Sequence, residues 1–413
     1  MAQCPAFLPL TRSTRFAFFK PIPKFQQTRR QLSILDTVST LTKPTRRGSQ
    51  NSLPAAYYRG GTSRAIFFRR EDLPSDQKQW APIFLGAIGS PDPLFGRQLD
   101  GLGGGISSLS KICVVGKSTH PDADVDYTFA ALGVRDDSVD YSSNCGNMSA
   151  AVGPFAVDAN IVPTEVPTAG TEGVDTTVRI HNTNTGKMIH STFRVVDGEA
   201  EAAGEFSIDG VGGTSSRIQL DFMDPAGSKT GKLFPTGNTT DGIAGVRATL
   251  IDAGNPCVFI TADELGVDGT LSPEKIDANV DLKKRLEEIR CEAAVKMGIA
   301  KDVDNVPGSV PKIGFVSTPT ESAKGNVVVR AMSVGQPHKA IPITVALAVA
   351  AAAKIPGTIV ADNLARKDDS IFVISHAGGV LPVSAKFDSE GHLISASVYG
   401  SARRLMEGRV FWK

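Results

Sequence analysis

The sequence has few cysteines and no long hydrophobic run, and these two absences exclude several protein classes. Its 413 residues contain only five cysteines, an odd number, at widely spaced positions and with no CxxC pair. This pattern argues against a disulfide framework or a zinc knuckle and fits a reducing compartment. Because no window reaches 18 uninterrupted apolar residues, we predict no transmembrane span.

An excess of one charge and the common catalytic signatures are also missing. Net charge is +1, so the chain has no electrostatic signature of nucleic-acid or membrane binding. It contains no GxSxG, HExxH or kinase-type motif. Lys111 stands where the leading glycine of a P-loop should be, and Ile106 replaces the last glycine of a dinucleotide fingerprint. No metal site is expected, because the acidic stretch after His120 lacks a second ligand cluster.

Acidic residues are nearly absent from the first fifty positions. Nine Lys and Arg side chains accompany a single acid, Asp36, in a background rich in Ser, Thr and Gln. This composition is typical of an organellar transit peptide, and the TRRQLS stretch suits cleavage near Leu32 or Ser33. The alternatives are a disordered basic extension and a wrong start codon. We predict mitochondrial localisation, with the cytoplasm as the alternative, and a net acidic chain without residues 1–50.

Folded sequence begins near Leu53 and forms two β-rich halves, each with one highly apolar helix. The first apolar helix is predicted over residues 146–161, and the second begins around His338. A surface helix is predicted over residues 273–298, with Ser272 as its N-cap. Because a helix that is apolar on every side must be buried on every side, each half should wrap its own helix.

The two halves repeat each other at a nearly constant offset. GTSRAIFF matches GNPCVFIT, and Cys145 matches His338, in both cases 193 residues further on. Lys111 matches Lys312, 201 residues further on. Such offsets indicate a duplicated domain with a short insertion, with chance similarity between small-residue helices as the alternative. We place the two domains at residues 53–235 and 236–413, and the last residues can cross back to the first domain.

Two residues have the surroundings of proton-transfer groups. Cys145 opens the first apolar helix, where the helix dipole and free backbone N–H groups favour a thiolate and bind anions. Asn144 can cap this helix, and Gly146 lets a ligand approach its backbone. Lys111 enters an apolar strand, so partial desolvation would make a neutral amine available as a base. Taken alone, each has a structural alternative: a buried thiol and a lysine snorkelling from a strand end.

Five motifs together resemble the PrpF-type isomerases: RGGTSRAIFF, DGLGGGISSLSK, SSNCGNMSAAVGPFAV, DAGNPCVFI and SARRLMEG. They occur in family order from about Tyr57 to the C-terminus. The family includes 2-methylaconitate cis–trans isomerase, 3-methylitaconate Δ-isomerase, 4-oxalomesaconate tautomerase and aconitate Δ-isomerase. The resemblance implies an α+β, diaminopimelate-epimerase-like fold, with two pseudo-symmetric β-roll domains around buried helices and an active site in the interdomain cleft. It implies no cofactor, Lys111 as the catalytic acid/base and Cys145 as a catalytic or assisting residue.

The expected reaction moves a proton allylic to a double bond in an unsaturated di- or tricarboxylic acid. Return of the proton at another carbon gives a double-bond shift or a cis–trans isomerisation, and donors must lie where the carbanion charge accumulates. The expected partner is a small polycarboxylate, and the chain is expected to form a homodimer or homotetramer. The predicted substrate-binding residues are Arg59, Thr62, Ser63, Arg64, Ser107, Ser108, Ser110, Asn144, Gly146, Asn147, Asn255 and His338.

The resemblance to the wider superfamily is incomplete at the second apolar helix. Epimerases of that superfamily pair two cysteines, one at the start of each helix, whereas this helix is predicted to begin Gln336-Pro337-His338-Lys339. A two-thiol mechanism is therefore unsupported, and Lys111 is expected to be the main acid/base, as the resemblance to the PrpF-type isomerases implies. Two alternatives stay open: an amino-acid racemase or epimerase of the same fold, and a non-catalytic carboxylate-binding protein. The sequence does not choose among aconitate, methylaconitate, methylitaconate and oxalomesaconate.

Overall fold

The fold alternates long antiparallel ladders with a few helices. A computed structural model describes residues 49–142, 144–163, 173–308, 310–320, 325–333, 335–366 and 371–413. The predicted transit segment, up to residue 48, lies outside the described residues. Within them the helices are α1 (Trp80–Ile88), α2 (Gly146–Asp158), α3 (Pro273–Ala278), α4 (Val280–Lys296), α5 (Ile343–Ala353) and α6 (Ile359–Asp362).

The strands divide into two series along the chain. The first series is β1 (Asn51–Gly60), β2 (Ser63–Arg69), β3 (Lys111–Lys117), β4 (Val125–Leu132), β5 (Val139–Asp140), β6 (Val174–Asn182), β7 (Lys187–Val196), β8 (Glu199–Ala200) and β9 (Ile218–Met223). The second series is β10 (Asp241–Ile243), β11 (Val246–Asp252), β12 (Pro256–Thr261), β13 (Lys312–Ser317), β14 (Val327–Ser333), β15 (Gln336–Pro337), β16 (Phe372–His376), β17 (Gly379–Phe387), β18 (Leu393–Gly400) and β19 (Ala402–Trp412).

The two series pair their strands in the same order. In the first, β1–β2 is antiparallel, β2–β3 parallel, β3–β4 antiparallel, β4–β6 parallel, and β6–β7 and β7–β9 antiparallel. In the second, β11–β12, β12–β13, β13–β14, β14–β16, β16–β17 and β17–β18 repeat that sequence of directions. Six successive pairings with the same directions are the structural counterpart of the internal repeat predicted above.

Two pairings join the series. β9 pairs with β18, and the C-terminal strand β19 pairs with β1 along its whole length. Residues Ser49–Lys413 form one compact unit. The boundary predicted between residues 235 and 236 falls between β9 and β10, and as a domain boundary it stays a prediction.

Each series wraps one apolar helix, as expected for helices without a polar face. In α2 every residue from Met148 to Val157 is buried, and in α5 every residue from Val345 to Ala353 is buried. Most of these residues are Ala, Val or Gly, whose small side chains let strands approach from all sides. The shorter α1 packs on the outer face of β1–β4, and α4 packs on the outer face of β11–β14.

Three helix bounds differ from the prediction. The first apolar helix ends at Asp158, because Asn160 adopts a left-handed conformation. The predicted surface helix is broken at Asn279, whose extended backbone ends α3 and whose side chain caps α4. The second apolar helix begins at Ile343, five residues after His338, because Pro342 forms its N-cap. Among the described residues, no helix is long and apolar enough to cross a membrane.

Candidate active site

Lys111 is the first residue of β3, and its side chain points toward α2. Along β3 the side chains alternate, so that Cys113 and Val115 pack in the core around α2, whereas Ile112 and Val114 face α1. Lys111 shares the register of Cys113 and is only 8% exposed. Its Nζ lies 5.0 Å from the centroid of the Phe129 ring. The amine is therefore held in an apolar site beside an aromatic face.

Cys145 is the N-cap residue of α2, with an extended backbone (φ −105°, ψ 102°) and no side-chain cap hydrogen bond. Asn144, which was predicted to cap the helix, instead accepts a hydrogen bond at Oδ1 from Ser149 Oγ at 3.2 Å. Ser149 Oγ also lies 3.1 Å from the Cys145 carbonyl oxygen, its second acceptor. The Cys145 side chain therefore satisfies none of the first N–H groups of α2.

Lys111 and Cys145 both act electrostatically on a third side chain, the buried thiol of Cys113. Burial raises the pKa of Cys113 well above its usual value, the neighbouring Cys145 raises it further, and Lys111 opposes the change. Tyr127, whose hydroxyl lies 3.8 Å from Cys113 Sγ, also has a pKa raised by burial and by the two thiols. The structure therefore brings the two predicted catalytic residues to the same end of α2.

The Gly60-Gly61 turn between β1 and β2 packs directly on this end of α2. Asn147 Nδ2 donates to Thr62 Oγ1 at 3.1 Å and to Ser63 Oγ at 3.4 Å. Gly61 has φ +52°, and a Cβ atom there would lie 2.9 Å from Asn147 Cγ. Only glycine satisfies both the left-handed backbone and this approach. Thr62, Ser63 and Asn147 therefore form one hydrogen-bonded rim beside Cys145.

The N-termini of the two apolar helices meet at this place. A Cβ atom on Gly146 would lie 2.5 Å from Cβ of Ile343, the first residue of α5. The turn that corresponds to Gly61 contains Gly254 (φ +76°) and Asn255, and it packs on Leu347 of α5. The site therefore has one wall from each series of strands.

His338 does not begin the second helix, so its predicted correspondence to Cys145 is wrong. Gln336–Pro337 pairs with β14, and the His338 backbone N–H donates to Ala331 O at 2.8 Å. The N-cap residues of α2 and α5 are Cys145 and Pro342. Pro342 is therefore the residue that corresponds to Cys145, and it carries no thiol. The sequence analysis had predicted the same absence of a second thiol, but at His338.

The two arginines that were predicted to bind the substrate, Arg59 and Arg64, contact other parts of the chain. Arg59 Nη1 donates to the carbonyl oxygens of Gly61 and Ser401, each at 3.1 Å, and Nη2 donates to Ser215 Oγ at 3.3 Å. Arg59 thus supports the glycine turn from outside. Arg64 is exposed, and its guanidinium lies 5.7 Å from the ring centroid of Tyr57 on the outer face.

The three serines before Lys111 differ from one another. Ser107 and Ser108 lie in a single 3₁₀ turn and are exposed and half-buried respectively. Ser110 is buried, and its hydroxyl contacts Gln98 Oε1 at 2.7 Å and Ile106 O at 2.8 Å. Ser110 therefore anchors the glycine-rich loop, whereas a binding role for Ser107 and Ser108 stays a prediction.

Several neighbours of the site were missed by sequence reasoning. Cys113 and Ser149 could have been found by periodicity, since one lies two residues after Lys111 on a strand and the other four after Cys145 on a helix. Tyr127 comes from a neighbouring strand, which only the pairing of β3 with β4 reveals. Among the described residues, no group of three or more His, Cys, Asp or Glu side chains could hold a metal ion.

Two cavities lie away from these residues. One, of about 340 Å³, is at the C-terminal end of α2 and is lined by Tyr58, Asp158 and Arg404 among others. The other, of about 580 Å³, lies between α4 and the start of β13. Neither cavity is lined by Lys111 or Cys145, so neither is part of the candidate active site.

Comparison with known proteins identifies the family of this chain. The family model described as "PrpF protein" matches residues 50–413. The chain belongs to the PrpF family. It is 40% identical to the 3-methylitaconate isomerase of Eubacterium barkeri, over 88% of this chain and 97% of that protein. It is 38% identical to the 2-methyl-aconitate isomerase of Cupriavidus necator, over 87% and 97% of the two chains.

A solved structure shares the fold as well as the sequence. The crystal structure of methylitaconate-delta-isomerase superposes with a TM-score of 0.80 and 39% identity, covering 88% of this chain and 96% of that one. Together with the repeated strand pairing, this confirms the predicted α+β, diaminopimelate-epimerase-like fold. In this PrpF chain, Lys111 and Cys145 occupy the two family motifs from which their roles were predicted.

Proposed function

We propose that this protein is a cofactor-independent isomerase of unsaturated di- or tricarboxylic acids. It moves a proton allylic to the double bond, by cis–trans isomerisation or by a double-bond shift. The observation that carries the proposal is that Cys145 begins the buried helix α2 and that Lys111 is buried on the side of β3 that faces this helix, in a PrpF chain.

Lys111 is the acid/base in this proposal. Its neutral amine removes the allylic proton, and the resulting ammonium returns the proton at another carbon. Lys111 is only 8% exposed, so bulk water has little access to the amine, which supports a role in proton transfer. Cys145 either donates the proton on the other side of the substrate or orients it.

The anion formed by proton removal needs donors that are already in place. The free N–H groups of Gly146 and Asn147 at the start of α2 supply them, and the helix dipole adds to their effect. Thr62 and Ser63 line the adjoining rim through their bonds with Asn147. We assign a substrate carboxylate to this rim and the reacting carbons to the space between Lys111 and Cys145.

The two alternative functions are less well supported. An amino-acid racemase of this fold would need a second thiol at the start of α5, where Pro342 stands. A carboxylate-binding protein without activity would not need a buried lysine in reach of a helix-start cysteine. Exchange of the α-proton of amino acids in deuterated water would support the first alternative, and ligand binding without any chemical change would support the second.

The proposal is tested by incubating the protein with aconitate, 2-methylaconitate, 3-methylitaconate and 4-oxalomesaconate in deuterated water and recording proton NMR spectra. One experiment reports the substrate, the position of exchange and the kind of isomerisation. Lys111→Ala should abolish turnover, whereas Lys117→Ala, at the exposed end of the same strand, should leave it unchanged. Near wild-type turnover in Lys111→Ala would overturn the assignment of the base.

Cys145→Ser separates the two roles of the thiol. A loss of more than about 100-fold in kcat would identify Cys145 as a proton donor, since general acid catalysis contributes about 10²–10⁴-fold. Activity within a few-fold of wild type would make it an orienting residue.

We also propose mitochondrial import through residues 1–50 and assembly into a homodimer or homotetramer. N-terminal sequencing of the protein recovered from mitochondria would locate the cleavage near Leu32 or Ser33. Light scattering of the purified protein would give the oligomeric state.

A further inference from the structure

Two histidines lie in neighbouring turns on the side of the site built from the second series of strands. His338 follows β15, and His376 is the last residue of β16. A Cβ atom on Gly378, two residues after His376, would lie 2.8 Å from the carbonyl oxygen of Lys339. The two turns are therefore in direct contact and hold the two rings near each other.

These turns are linked to the rim of the candidate active site. Asp209 Oδ2 accepts a hydrogen bond from Val380 N at 2.6 Å, in the strand that follows His376. The next residue, Gly210, packs against Thr62, since a Cβ atom there would lie 3.2 Å from Thr62 Cγ2. His338 also precedes by five residues the start of α5, which meets the start of α2 at Gly146.

Both rings are held in the same tautomer. His338 Nδ1 accepts from Ala340 N at 3.1 Å, and His376 Nδ1 accepts from Gly378 N at 3.2 Å. A ring nitrogen that accepts a backbone N–H carries no hydrogen, so in the neutral ring the hydrogen is on Nε2. Each histidine thus presents an Nε2–H donor.

Neither donor is used by the described part of the chain. No described residue accepts a hydrogen bond from Nε2 of either ring. Among the described residues, the only buried side-chain polar atom without a partner is Ser191 Oγ. The two Nε2 atoms are therefore accessible, although His376 is only 9% exposed. A nearly buried ring with an accessible, unused donor is suited to a ligand acceptor.

Burial, together with nearby positive charges, keeps the pair neutral. Burial is the main cause that lowers the pKa of His376, to about 4, and the positive charge of Arg330 acts in the same direction, against Asp209. Burial also lowers the pKa of His338, and Lys312 adds to this effect. Arg330 is itself bound to backbone carbonyl groups, including that of Leu271 at 2.7 Å.

We propose that His338 and His376 form a pair of uncharged N–H donors that binds one carboxylate of the substrate. The inference rests on the proposed function and extends it by naming the binding group supplied by the second series of strands. It adds His376, which sequence analysis did not assign. An uncharged pair holds the carboxylate without offering a second acidic proton that could compete with Lys111 for the substrate anion.

The kinetic test compares three variants on trans-aconitate or on whichever acid the protein isomerises. His376→Phe keeps a planar ring and removes the donor, so KM should rise at least ten-fold with a smaller change in kcat. His376→Gln retains an N–H at a similar distance and should stay within about three-fold of wild type. His392→Gln is the matched control, because His392 is 73% exposed and paired with Asp388. A KM of His376→Phe within two-fold of wild type would overturn the proposal.

The charge state is tested by the pH dependence of the same ratio. For a neutral donor, the ratio of KM in His376→Phe to KM in wild type should be constant from pH 5.5 to 8. A ratio that falls as pH rises through 6.5 would show that the histidine binds as a cation, and would refute the uncharged pair.

A binding experiment separates this inference from the proposed function. In protein labelled with ¹⁵N-histidine, tricarballylate, the saturated counterpart of aconitate, should shift the Nε2 signals of His338 and His376 but not that of His392. If these shifts occur although no acid is isomerised, the pair stands and the proposed function fails. If isomerisation occurs and neither signal moves, the pair fails alone. The result also remains readable if His376→Phe does not fold.

Discussion

Replacing Gly61 with alanine tests whether the glycine turn sets the position of the substrate rim. Gly61 has φ +52°, and the added carbon would lie 2.9 Å from Asn147 Cγ. A left-handed alanine costs about 1–2 kcal/mol, and overpacking adds about 1–3 kcal/mol. The Asn147 amide can relieve part of the clash by rotating away, but it then loses its bonds to Thr62 and Ser63, each worth about 1 kcal/mol.

Gly186→Ala provides the matched control. Gly186 has φ +66° in the β6–β7 turn, and nothing lies within 4 Å of the position of its Cβ atom. It should therefore show only the backbone cost of about 1–2 kcal/mol. We expect Gly61→Ala to lower the free energy of unfolding by about 2–5 kcal/mol, measured by urea denaturation with an unchanged m-value.

The activity of the two variants completes the test. Displacement of Asn147 moves the rim by a fraction of an ångström to an ångström, and such a shift can cost about 10²-fold in rate. Gly61→Ala should therefore lose at least ten-fold in kcat/KM, whereas Gly186→Ala should keep the wild-type value. Equal stability losses in the two variants, together with full activity of Gly61→Ala, would refute the argument.

Three further predictions follow from the same contacts. Gly146→Ala should lower kcat/KM more than ten-fold, although alanine favours a helix by about 1 kcal/mol, because the added carbon would lie 2.5 Å from Cβ of Ile343. The double variant with Ile343→Ala keeps that Cβ atom, so its kcat/KM should stay low. Wild-type activity in either variant would contradict the contact between the two helix starts. The pKa of His376 falls from 6.5 to about 4 on folding, so between these pH values the unfolded chain binds a proton that the folded chain does not. This difference should lower the free energy of unfolding by about 3 kcal/mol as pH falls from 7 to 4. If urea denaturation of His376→Gln shows the same dependence of unfolding free energy on pH as wild type, His376 is not the cause. Asn279→Ala removes the side chain that accepts from Leu282 N at 3.0 Å, and should cost about 1 kcal/mol in urea denaturation with unchanged kinetic constants; a change in KM would show an unexpected link between α4 and the site.

Local patterns were enough to predict the two buried helices, a helix cap and the internal repeat of this protein. Ser272 was predicted as an N-cap, and it caps α3 by accepting from Lys275 N. The start of α2 at Cys145 and Gly146 was also predicted, since a helix of small apolar residues cannot lie at the surface. The internal repeat was visible because duplicated strands keep their glycine turns at the same offset.

What local patterns could not predict depends on partners far along the chain. The start of α5 moved from His338 to Ile343, because Gln336–Pro337 pairs with β14 and His338 N donates to Ala331 O. Arg59 looked like a carboxylate ligand, yet its guanidinium binds the backbone of Ser401, 342 residues away in the sequence. The environment of a side chain at a strand end depends on which strand pairs with it, and no local window contains that information.

The sequence by itself determined the family, the two buried helices, and the identities of Lys111 and Cys145 as the candidates for proton transfer. These features follow from composition, periodicity and motif order, all of which can be determined from the sequence alone. Only the tertiary structure decided that Lys111 is buried on the side of β3 that faces α2, that Asn147 binds the Thr62–Ser63 turn, and that His338 and His376 share one tautomer. Each of these facts depends on the pairing of strands and the packing of turns that are distant in the sequence, so no local pattern contains them.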